Sequence, residues 1–278
     1  MIAGAGVAVD AAERVEFAAY ADMWAAADAR TREALGLVSH AVGDLRVVGC
    51  AATPGAEMLN RVMGVGLAPW DRRELAAAAG ALHRHGCVAQ VSLRDDAPHA
   101  AQARAGLASL GFEPGYAWMR FVHPGGEPQE PEEPPTVRVR RCAAADARAF
   151  GEVVAGGFAL PPQFVGFVAA LVGRERWSCL LAEDAAGAPL GAAAMFTDGD
   201  AAWLGLGATL PAARRRGAQG ALLRARTAQA AAAGCALVTM ETGARVEGRP
   251  SASYRNILRA GFEERGLRPN LVAPAAAG

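Results

Sequence analysis

Three consecutive arginines followed by a glycine, Arg214 to Gly217, are the residues of this chain best suited to bind a phosphate group. They follow a short apolar run that ends at Pro211, and they precede an alanine- and leucine-rich segment with helical spacing. The N–H groups of a first helical turn have no partner within the helix, and the helix dipole favours an anion beside them. Arginine side chains add charge-assisted hydrogen bonds to phosphate oxygens. This strand, loop and helix start therefore predict a pyrophosphate-binding site.

A second candidate segment lies further along the chain, beyond a predicted buried strand. Cys235 to Thr242 is rich in β-branched and apolar residues, which is typical of a strand in a core. A helix is predicted to follow, because Ser251 or Ser253 can cap its start and Gly261 can end it. The arginine loop is thus followed by a helix, a strand and a second helix.

In this order and spacing the two segments resemble the acyl-coenzyme A motifs of the GNAT superfamily of N-acyltransferases, over residues 136–278. The loop of that family reads Arg/Gln-x-x-Gly-x-Gly/Ala, and Arg214 to Gln219 match it except that Gln219 stands at the second small position. Gly220 follows directly, and its lack of a side chain is expected to restore the close approach of the backbone to the pyrophosphate. The last helix of the family ends in a Gly-Phe pair, here Gly261-Phe262.

The resemblance implies an acyl-CoA co-substrate, expected to be acetyl-CoA, and no metal. In this fold two neighbouring parallel strands, here 201–209 and 235–242, separate, and their free backbone groups can pair with the pantetheine amides. The residues expected to hold the coenzyme are Gly207, Ala208, Thr209, Arg214, Arg215, Arg216, Gly217, Ala218, Gln219, Gly220, Ser253 and Asn256.

Acyl transfer to an amine requires alignment of the reactants and removal of a proton from the amine, and an acid can assist the departing thiolate. The resemblance places that acid four residues before Gly261, where this chain has Ile257. Tyr254 lies one turn earlier and is the alternative acid. It could equally line the adenine side or pack in the core.

Glu241 is the carboxylate expected to act as the base. It ends the strand beside the coenzyme groove, where partial burial would raise its pKa and let it relay a proton through water. The alternative is that Glu241 caps a helix or pairs with an arginine such as Arg245 or Arg255. A carboxylate base is also dispensable for an acceptor amine whose own pKa is low.

The acceptor pocket of this fold lies under the loop between the first two helices, here 155–163. Phe158, Phe164 and Trp177, together with Leu160, are expected to make it apolar, although their spacing is equally typical of core residues. The loop carries no acidic cluster, which disfavours a polyamine or an aminoglycoside as acceptor. The sequence therefore predicts a small primary amine without naming it.

Composition excludes several classes of protein. The 28 basic residues, all arginine, balance 28 acidic ones, so no overall field attracts nucleic acid or an anionic membrane. The sequence contains no apolar stretch of membrane-spanning length and no early basic residues of a secretory signal. The five cysteines are scattered without metal spacing, which favours reduced thiols in the cytoplasm.

The chain is predicted to contain two related domains, 1–122 and 136–278, joined by a proline- and glutamate-rich linker at 123–135. Gly-Phe-Glu occurs at Gly111 and again at Gly261, and a helix-to-strand turn recurs at Cys87 and Cys235. In the first copy, Pro69-Trp70-Asp71 stands in place of the arginine–glycine loop. This copy is therefore expected to have lost coenzyme binding, because proline lacks an N–H donor and a carboxylate repels phosphate.

These observations predict an α/β chain of α+β type with a mixed sheet, built from two tandem GNAT-like domains. The expected activity is acetyl-CoA-dependent transfer of an acyl group to a small primary amine by a monomer or a homodimer. Two alternatives stay open. One is another acyl-CoA enzyme on this fold, such as an O-acyltransferase or a decarboxylase, and the other is a non-catalytic acyl-CoA sensor or scaffold.

Overall fold

The structure is a computed structural model that describes residues 10–126, 137–248 and 251–273. Residues 127–135 of the predicted linker lie outside the described residues. No described helix is long and apolar enough to cross a bilayer. The described residues also contain no group of three or more His, Cys, Asp or Glu side chains that could hold a metal ion.

The first half begins with helices and continues with strands. Helix α1 is capped by Asp10 and α2 by Asp28, whose carboxylates accept hydrogen bonds from the first-turn N–H groups. The elements are α1 (Ala11–Ala26), α2 (Ala29–Leu35), β1 (Leu37–Val42), β2 (Leu45–Cys50), β3 (Arg61–Met63), α3 (Arg72–His83), β4 (Gln90–Ser92), α4 (Ala100–Ser109) and β5 (Glu113–His123).

The second half has the predicted order of elements. They are β6 (Arg138–Arg141), α5 (Ala147–Gly157), α6 (Phe164–Ala169), β7 (Trp177–Glu183), β8 (Pro189–Asp198), β9 (Ala201–Thr209), α7 (Ala218–Ala232), β10 (Leu237–Gly243), α8 (Ala252–Arg259) and β11 (Glu263–Val272). The predicted mixed α/β fold is therefore confirmed. The last strand, β11, carries a bulge between Glu264 and Gly266.

The eleven strands of the described residues form one sheet, in the order β1-β2-β3-β4-β11-β5-β10-β9-β8-β7-β6. Strand β5, the last of the first half, pairs with β10 and β11 of the second half. Strand β11, the last of the second half, pairs with β4 and β5. Each half thus places its final strand beside a strand of the other, and the two halves share one continuous sheet.

The predicted internal repeat is visible in matching turns. Gly86 and Gly234 follow α3 and α7 with φ of 72° and 76°. Gly111 and Gly261 follow α4 and α8 with φ of 77° and 84°. A left-handed residue after a helix favours glycine, because it has no Cβ to clash. The two copies therefore reverse direction in the same way at the same places.

The sheet is covered on both faces. Around the second half, α1, α5 and α6 pack on one face with Trp203, while α7 and α8 pack on the other with the neighbouring Leu204. Side chains of consecutive strand residues point to opposite faces, which accounts for this division. Helix α1 belongs to the first half but packs against β8, β9 and β10 of the second. It therefore brings first-half side chains to the middle of the second half.

Candidate active site

Strands β9 and β10 separate in the middle of the sheet, as the sequence predicts. Their parallel pairing ends with Trp203 opposite Thr239, although β9 continues to Thr209 and β10 to Gly243. Beyond this point the facing edge of β9 has no sheet partner, so its N–H and C=O groups remain free. A cavity of about 780 Å³ occupies the gap and reaches both faces of the sheet.

On its other edge, β9 carries a bulge. Gly205 pairs with Ala194 and Ala208 with Ala192, so Leu206 and Gly207 together face the single residue Ala193. Leu206 has a φ of 53°, in the left-handed region. Bulges of this kind redirect backbone groups next to functional sites, and here the bulge lies in the wall of the cavity.

The N-terminus of α7 opens into the cavity. Its N-cap is Gly217 with a φ of 83°, no side chain caps the helix, and no atom lies within 4 Å of where a Cβ would stand on Gly217. Arg214 and Arg215 line the cavity beside it. Free N–H groups, the helix dipole and two guanidinium groups together make this a site for a phosphate or pyrophosphate.

Ten of the twelve residues expected to hold the coenzyme line this cavity, and they are Gly207, Ala208, Thr209, Arg214, Arg215, Gly217, Ala218, Gln219, Ser253 and Asn256. The other two, Arg216 and Gly220, are not among the lining residues. Arg216 forms an ion pair with Asp184 at 3.1 Å. Gly220 lies outside the cavity wall, on the side of α7 nearer to Arg224.

Gln219, the departure from the small-residue pattern, connects the two helices of the coenzyme face. Its Nε2 donates to Ser253 Oγ at 2.8 Å, and its Oε1 accepts from Asn256 Nδ2 at 2.8 Å. Thr242 Oγ1 also lies 3.1 Å from Ser253 Oγ. These contacts fix the separation of α7 and α8 along the cavity.

Tyr254 does not line the cavity, which favours the alternative that it packs in the core over a role as the acid. Residues 253 and 256 face the cavity, whereas Tyr254 and Ile257 lie on the buried side of α8. The Tyr254 ring packs edge-on against Phe121, with Arg245 over its face. Burial and a hydrogen bond with Glu264 raise the pKa of Tyr254 to about 12. The residue belongs to the core.

Glu241 does line the cavity, but its pKa moves opposite to the prediction. Its carboxylate accepts hydrogen bonds from Arg61 at 2.8 Å and from Arg268 at 2.7 Å. Burial alone would raise the pKa of Glu241, but the two guanidinium charges outweigh burial and lower it below its ordinary value of 4.5. The partners also differ from the predicted Arg245 and Arg255. Glu241 is therefore a fixed anion at neutral pH.

The ion pairs of Glu241 belong to a buried network between the halves. Glu16 of α1 accepts from Arg268 at 2.7 Å and from Arg61 at 3.3 Å, and Glu13 also pairs with Arg268. Burial raises the pKa of Glu16, against the opposing effect of Arg268. The network joins α1, β3, β10 and β11, so it ties the cavity wall to both halves of the chain.

Tyr20 of α1 is the tyrosine that borders the cavity. Its hydroxyl accepts a hydrogen bond from Arg61 Nη1 at 2.9 Å, the same nitrogen that binds Glu241. Burial raises the pKa of Tyr20 to about 12, so the hydroxyl keeps its proton at neutral pH. Sequence reasoning missed Tyr20 because it lies in the half without the coenzyme motif.

On the face of α1, α5 and α6 the cavity is apolar. Phe158 and Phe164 line it as expected, with Leu160. Trp177 does not: its ring packs against Trp203 and its Nε1 donates to Asp22 at 2.7 Å. This places Trp177 in the core, which is the alternative that its spacing leaves open. The first half supplies further lining residues, namely Tyr20, Met23, Met58, Leu59 and Trp118.

Arg226 of α7 is a buried cation that also lines the cavity. Its Nε donates to Leu222 O and its Nη1 to Ala194 O and Gly205 O, next to the bulge. Burial lowers the pKa of Arg226 to about 9, so it remains charged at neutral pH. Its Nη2 lies 3.6 Å from where a Cβ would stand on Gly207. The guanidinium of Arg226 therefore lies in ordinary contact distance of Gly207 on β9.

In the first half, side chains occupy the equivalent phosphate position. Asp71 caps α3 by accepting from the N–H groups of Arg73 at 2.7 Å and Glu74 at 3.3 Å. The ring of Trp70 lies on Gly106 of α4, where a Cβ would stand 2.2 Å from Trp70 Cε2. A carboxylate and an indole ring thus fill the space that is open at Gly217.

Several solved structures with a similar fold are named N-acetyltransferases or GNAT proteins. A GCN5-related N-acetyltransferase from Kribbella flavida matches with a TM-score of 0.64 and 18% identity, covering 97% of this chain and 98% of that one. A second, from Sphaerobacter thermophilus, matches with a TM-score of 0.62 and 18% identity, covering 82% and 75%. A tandem GNAT protein from the clavulanic acid biosynthesis pathway matches with a TM-score of 0.54 and 14% identity, covering 84% and 79%.

No protein-family model and no curated protein matches the chain in sequence. The structural similarity extends over both halves, as the coverage of the Kribbella flavida protein shows. The chain is therefore a tandem protein of the GNAT fold.

Proposed function

We propose that this protein is an acyl-CoA-dependent N-acyltransferase of the GNAT superfamily that transfers an acetyl group to a primary amine. The observation that carries the proposal is the joining of three features in one cavity: the uncapped start of α7, the separated strands β9 and β10, and an apolar chamber across the sheet. The uncapped helix start suits a pyrophosphate, and the separated strands suit an amide-containing arm. The apolar chamber suits an acceptor.

In this proposal Arg214, Arg215 and the N–H groups after Gly217 hold the pyrophosphate of acyl-CoA. The free edge of β9 pairs with the pantetheine amides, which leads the acyl end toward the opening in the sheet. The bound acyl-CoA supplies an activated thioester. The site thereby aligns the two reactants, and alignment of this kind contributes much of the rate enhancement in a bimolecular transfer.

Glu241 attracts and orients the ammonium of the acceptor, because its carboxylate is ionised throughout the neutral range. A proton leaving the amine passes to water beside this carboxylate, since a carboxylate of lowered pKa is a weak base. The Tyr20 hydroxyl accepts from Arg61 and retains its own hydrogen for donation into the cavity. It is the candidate donor to the departing thiolate in a chain that has Ile257 at the usual tyrosine position.

A non-catalytic acyl-CoA sensor is the second candidate function. The observation that favours it is the burial of Tyr254 and Ile257 away from the cavity, which leaves α8 without an acid. Release of free thiol from acetyl-CoA in the presence of amines separates the two functions. An enzyme releases thiol at a rate that depends on the amine, whereas a sensor binds the coenzyme without turnover.

The test of the proposal combines this thiol assay with calorimetric titration of acetyl-CoA. Gly217→Asp places a carboxylate against the phosphate site and should weaken coenzyme binding by at least about 100-fold, roughly the effect of an unpaired charge contact. Gly173→Asp is the matched control, because Gly173 has a φ of 85° and equally open surroundings away from the cavity. Equal coenzyme affinity in the two folded variants would refute the site.

A further inference from the structure

The part of the cavity on the α1 face has a chemistry that restricts what it can hold. Met23, Met58, Phe158, Phe164, Phe167 and Trp203 line it. We call these six residues the aromatic chamber. Phe164 and Phe167 are almost fully buried, and Trp203 is only 6% exposed. Such a wall offers dispersion contacts and apolar burial but almost no hydrogen bonds.

The border of the aromatic chamber carries one acidic side chain. Among the described residues that line the cavity, Glu241 is the only acid. It shares the Nη1 of Arg61 with the Tyr20 hydroxyl, and the Tyr20 ring centroid lies 5.6 Å from that of Trp203. The carboxylate, the hydroxyl and the aromatic wall are therefore neighbours. A ligand can place a cation at the carboxylate and the hydroxyl, and a hydrocarbon group against the aromatic wall.

Among the described residues that line the cavity on this face, none is a cation that could receive a carboxylate from a ligand. Arg61 and Arg268 are both bound to Glu16 and Glu241. The arginines that do line the cavity, Arg214, Arg215 and Arg226, belong to the loop and to α7 on the opposite face. An amino acid acceptor would therefore bury its carboxylate beside Glu241 without a partner, which is strongly unfavourable.

We propose, resting on the function proposed above, that the acceptor is a primary amine that carries an aromatic or branched hydrocarbon group and no carboxylate. Its ammonium lies at Glu241 and Tyr20, and its hydrocarbon group fills the aromatic chamber. A polyamine does not fit, because its second ammonium would enter an apolar wall that has no further anion.

The first half of the chain sets the size of this acceptor. Met23 comes from α1 and Met58 from the loop before β3, and both line the aromatic chamber together with Phe158 and Phe164. Methionine is unbranched and adapts its shape to what it contacts. The half that lacks an open phosphate site thus contributes the residues that select the substrate.

The first experiment compares amines that differ in one feature, with the full chain and saturating acetyl-CoA. We expect 2-phenylethylamine to give a kcat/KM at least tenfold above those of methylamine, phenylalanine and putrescine, because one well-fitted hydrocarbon contact changes selectivity by about 10- to 200-fold. Equal values for 2-phenylethylamine and methylamine, or a preference for phenylalanine or putrescine, would overturn the proposal while leaving N-acyl transfer intact.

The second arm asks which reactant fills the aromatic chamber. With methylamine as the acceptor, hexanoyl-CoA should be no better a donor than acetyl-CoA. A clear preference for hexanoyl-CoA would assign the chamber to the acyl chain and overturn the acceptor proposal. Calorimetry of 2-phenylethylamine binding to the chain loaded with CoA gives a readout without turnover. Absence of binding there also overturns it, and absence of turnover with any amine refutes the proposed function itself.

The third arm changes the aromatic chamber. Met58→Trp adds bulk to a half-buried side chain, and we expect it to lower kcat/KM for 2-phenylethylamine at least tenfold with little effect on methylamine. Leu110→Trp adds bulk to a half-buried side chain on the first-half core, away from the cavity, and is the control, expected to change kcat/KM for either amine by no more than about threefold. Melting temperatures confirm that both variants fold. Equal losses for the two amines in Met58→Trp would contradict a role in selectivity.

Discussion

Arg61 of β3 donates a 2.8 Å hydrogen bond to Glu241 of β10, across the boundary between the two halves of the chain. The only acid that lines the cavity, within the part of the chain described, is thus held ionised by a residue from the half without the coenzyme motif. The Nη1 of Arg61 also contacts Tyr20 and Glu16. One buried guanidinium therefore sets both the position and the charge of the polar border of the site.

We expect Arg61→Met to move the acidic limb of the pH–rate profile upward by about 1–3 pH units, the usual effect of removing an opposite charge. Glu241 now has a pKa below 4.5, so the native profile should show no loss of activity from this group above about pH 5. Arg61→Lys keeps the charge and should restore most of the native profile. Arg46→Met is the control, because Arg46 contacts only backbone carbonyls.

Loss of Arg61 also leaves Glu16 and Glu241 with one cation fewer in a buried network. Removing one partner of such a network costs about 3–5 kcal/mol of the free energy of unfolding. Profiles should therefore be recorded below the melting temperature of each variant. An unchanged acidic limb in a folded Arg61→Met protein would contradict the role of Arg61.

The coenzyme face could be predicted from the sequence because its signals are local. A strand, a glycine at the start of a helix and arginines beside it occur within about twenty residues, and the structure places Arg214, Arg215 and Gly217 together in the cavity. Strand β9 has the predicted bounds for the same reason. Its apolar run and the following Pro211 mark it without help from the rest of the chain.

The acceptor face could not be predicted in this way, because distant segments build it. Glu241 was expected to have a raised pKa, but Arg61 and Arg268 approach it from β3 and β11. The spacing of residues around Glu241 does not predict Arg61 or Arg268 as its ion-pair partners. The pairing of β5 and β11 with strands of the other half is equally non-local.

Tyr20 and Tyr254 give contrasting predictions for the same change, loss of one hydroxyl. Tyr20→Phe should lower kcat/KM about five- to tenfold, because the hydroxyl borders the cavity and a hydrogen bond contributes roughly 1 kcal/mol. Tyr254→Phe should leave kcat within about threefold, because Tyr254 packs in the core. Steady-state kinetics at fixed pH test the pair. A large loss of kcat in Tyr254→Phe alone would instead identify Tyr254 of α8 as the acid that protonates the thiolate.

Gly207 provides a test of the pantetheine path along β9. The residue is exposed, its φ is outside the left-handed region, and a Cβ there would meet only Arg226 at an ordinary distance of 3.6 Å. Gly207→Val should therefore fold, yet its side chain would cover the free edge of β9. We expect acetyl-CoA affinity to fall at least tenfold, with Gly207→Ala intermediate. If calorimetry gives the native acetyl-CoA affinity for Gly207→Val, the pantetheine arm does not bind along β9.

The last prediction concerns the two copies of the domain, which we expect to bind one acyl-CoA per chain. At α3 the carboxylate of Asp71 already accepts from two first-turn N–H groups, and Trp70 fills the space against Gly106. At α7 the equivalent N–H groups have no capping side chain. Because a carboxylate at a helix start satisfies the donors and the dipole that a phosphate would use, only the second copy has an open site.

Calorimetric titration of acetyl-CoA into the full chain should give one site, and Gly217→Asp should abolish it. The full chain is required, because β5 forms its sheet contacts with β10 and β11 and a separated first half would lose them. Asp71→Ala should cost about 1 kcal/mol of stability through the lost helix cap and leave the stoichiometry at one. Two sites in the native chain, or one that persists in Gly217→Asp, would show that the first copy binds the coenzyme.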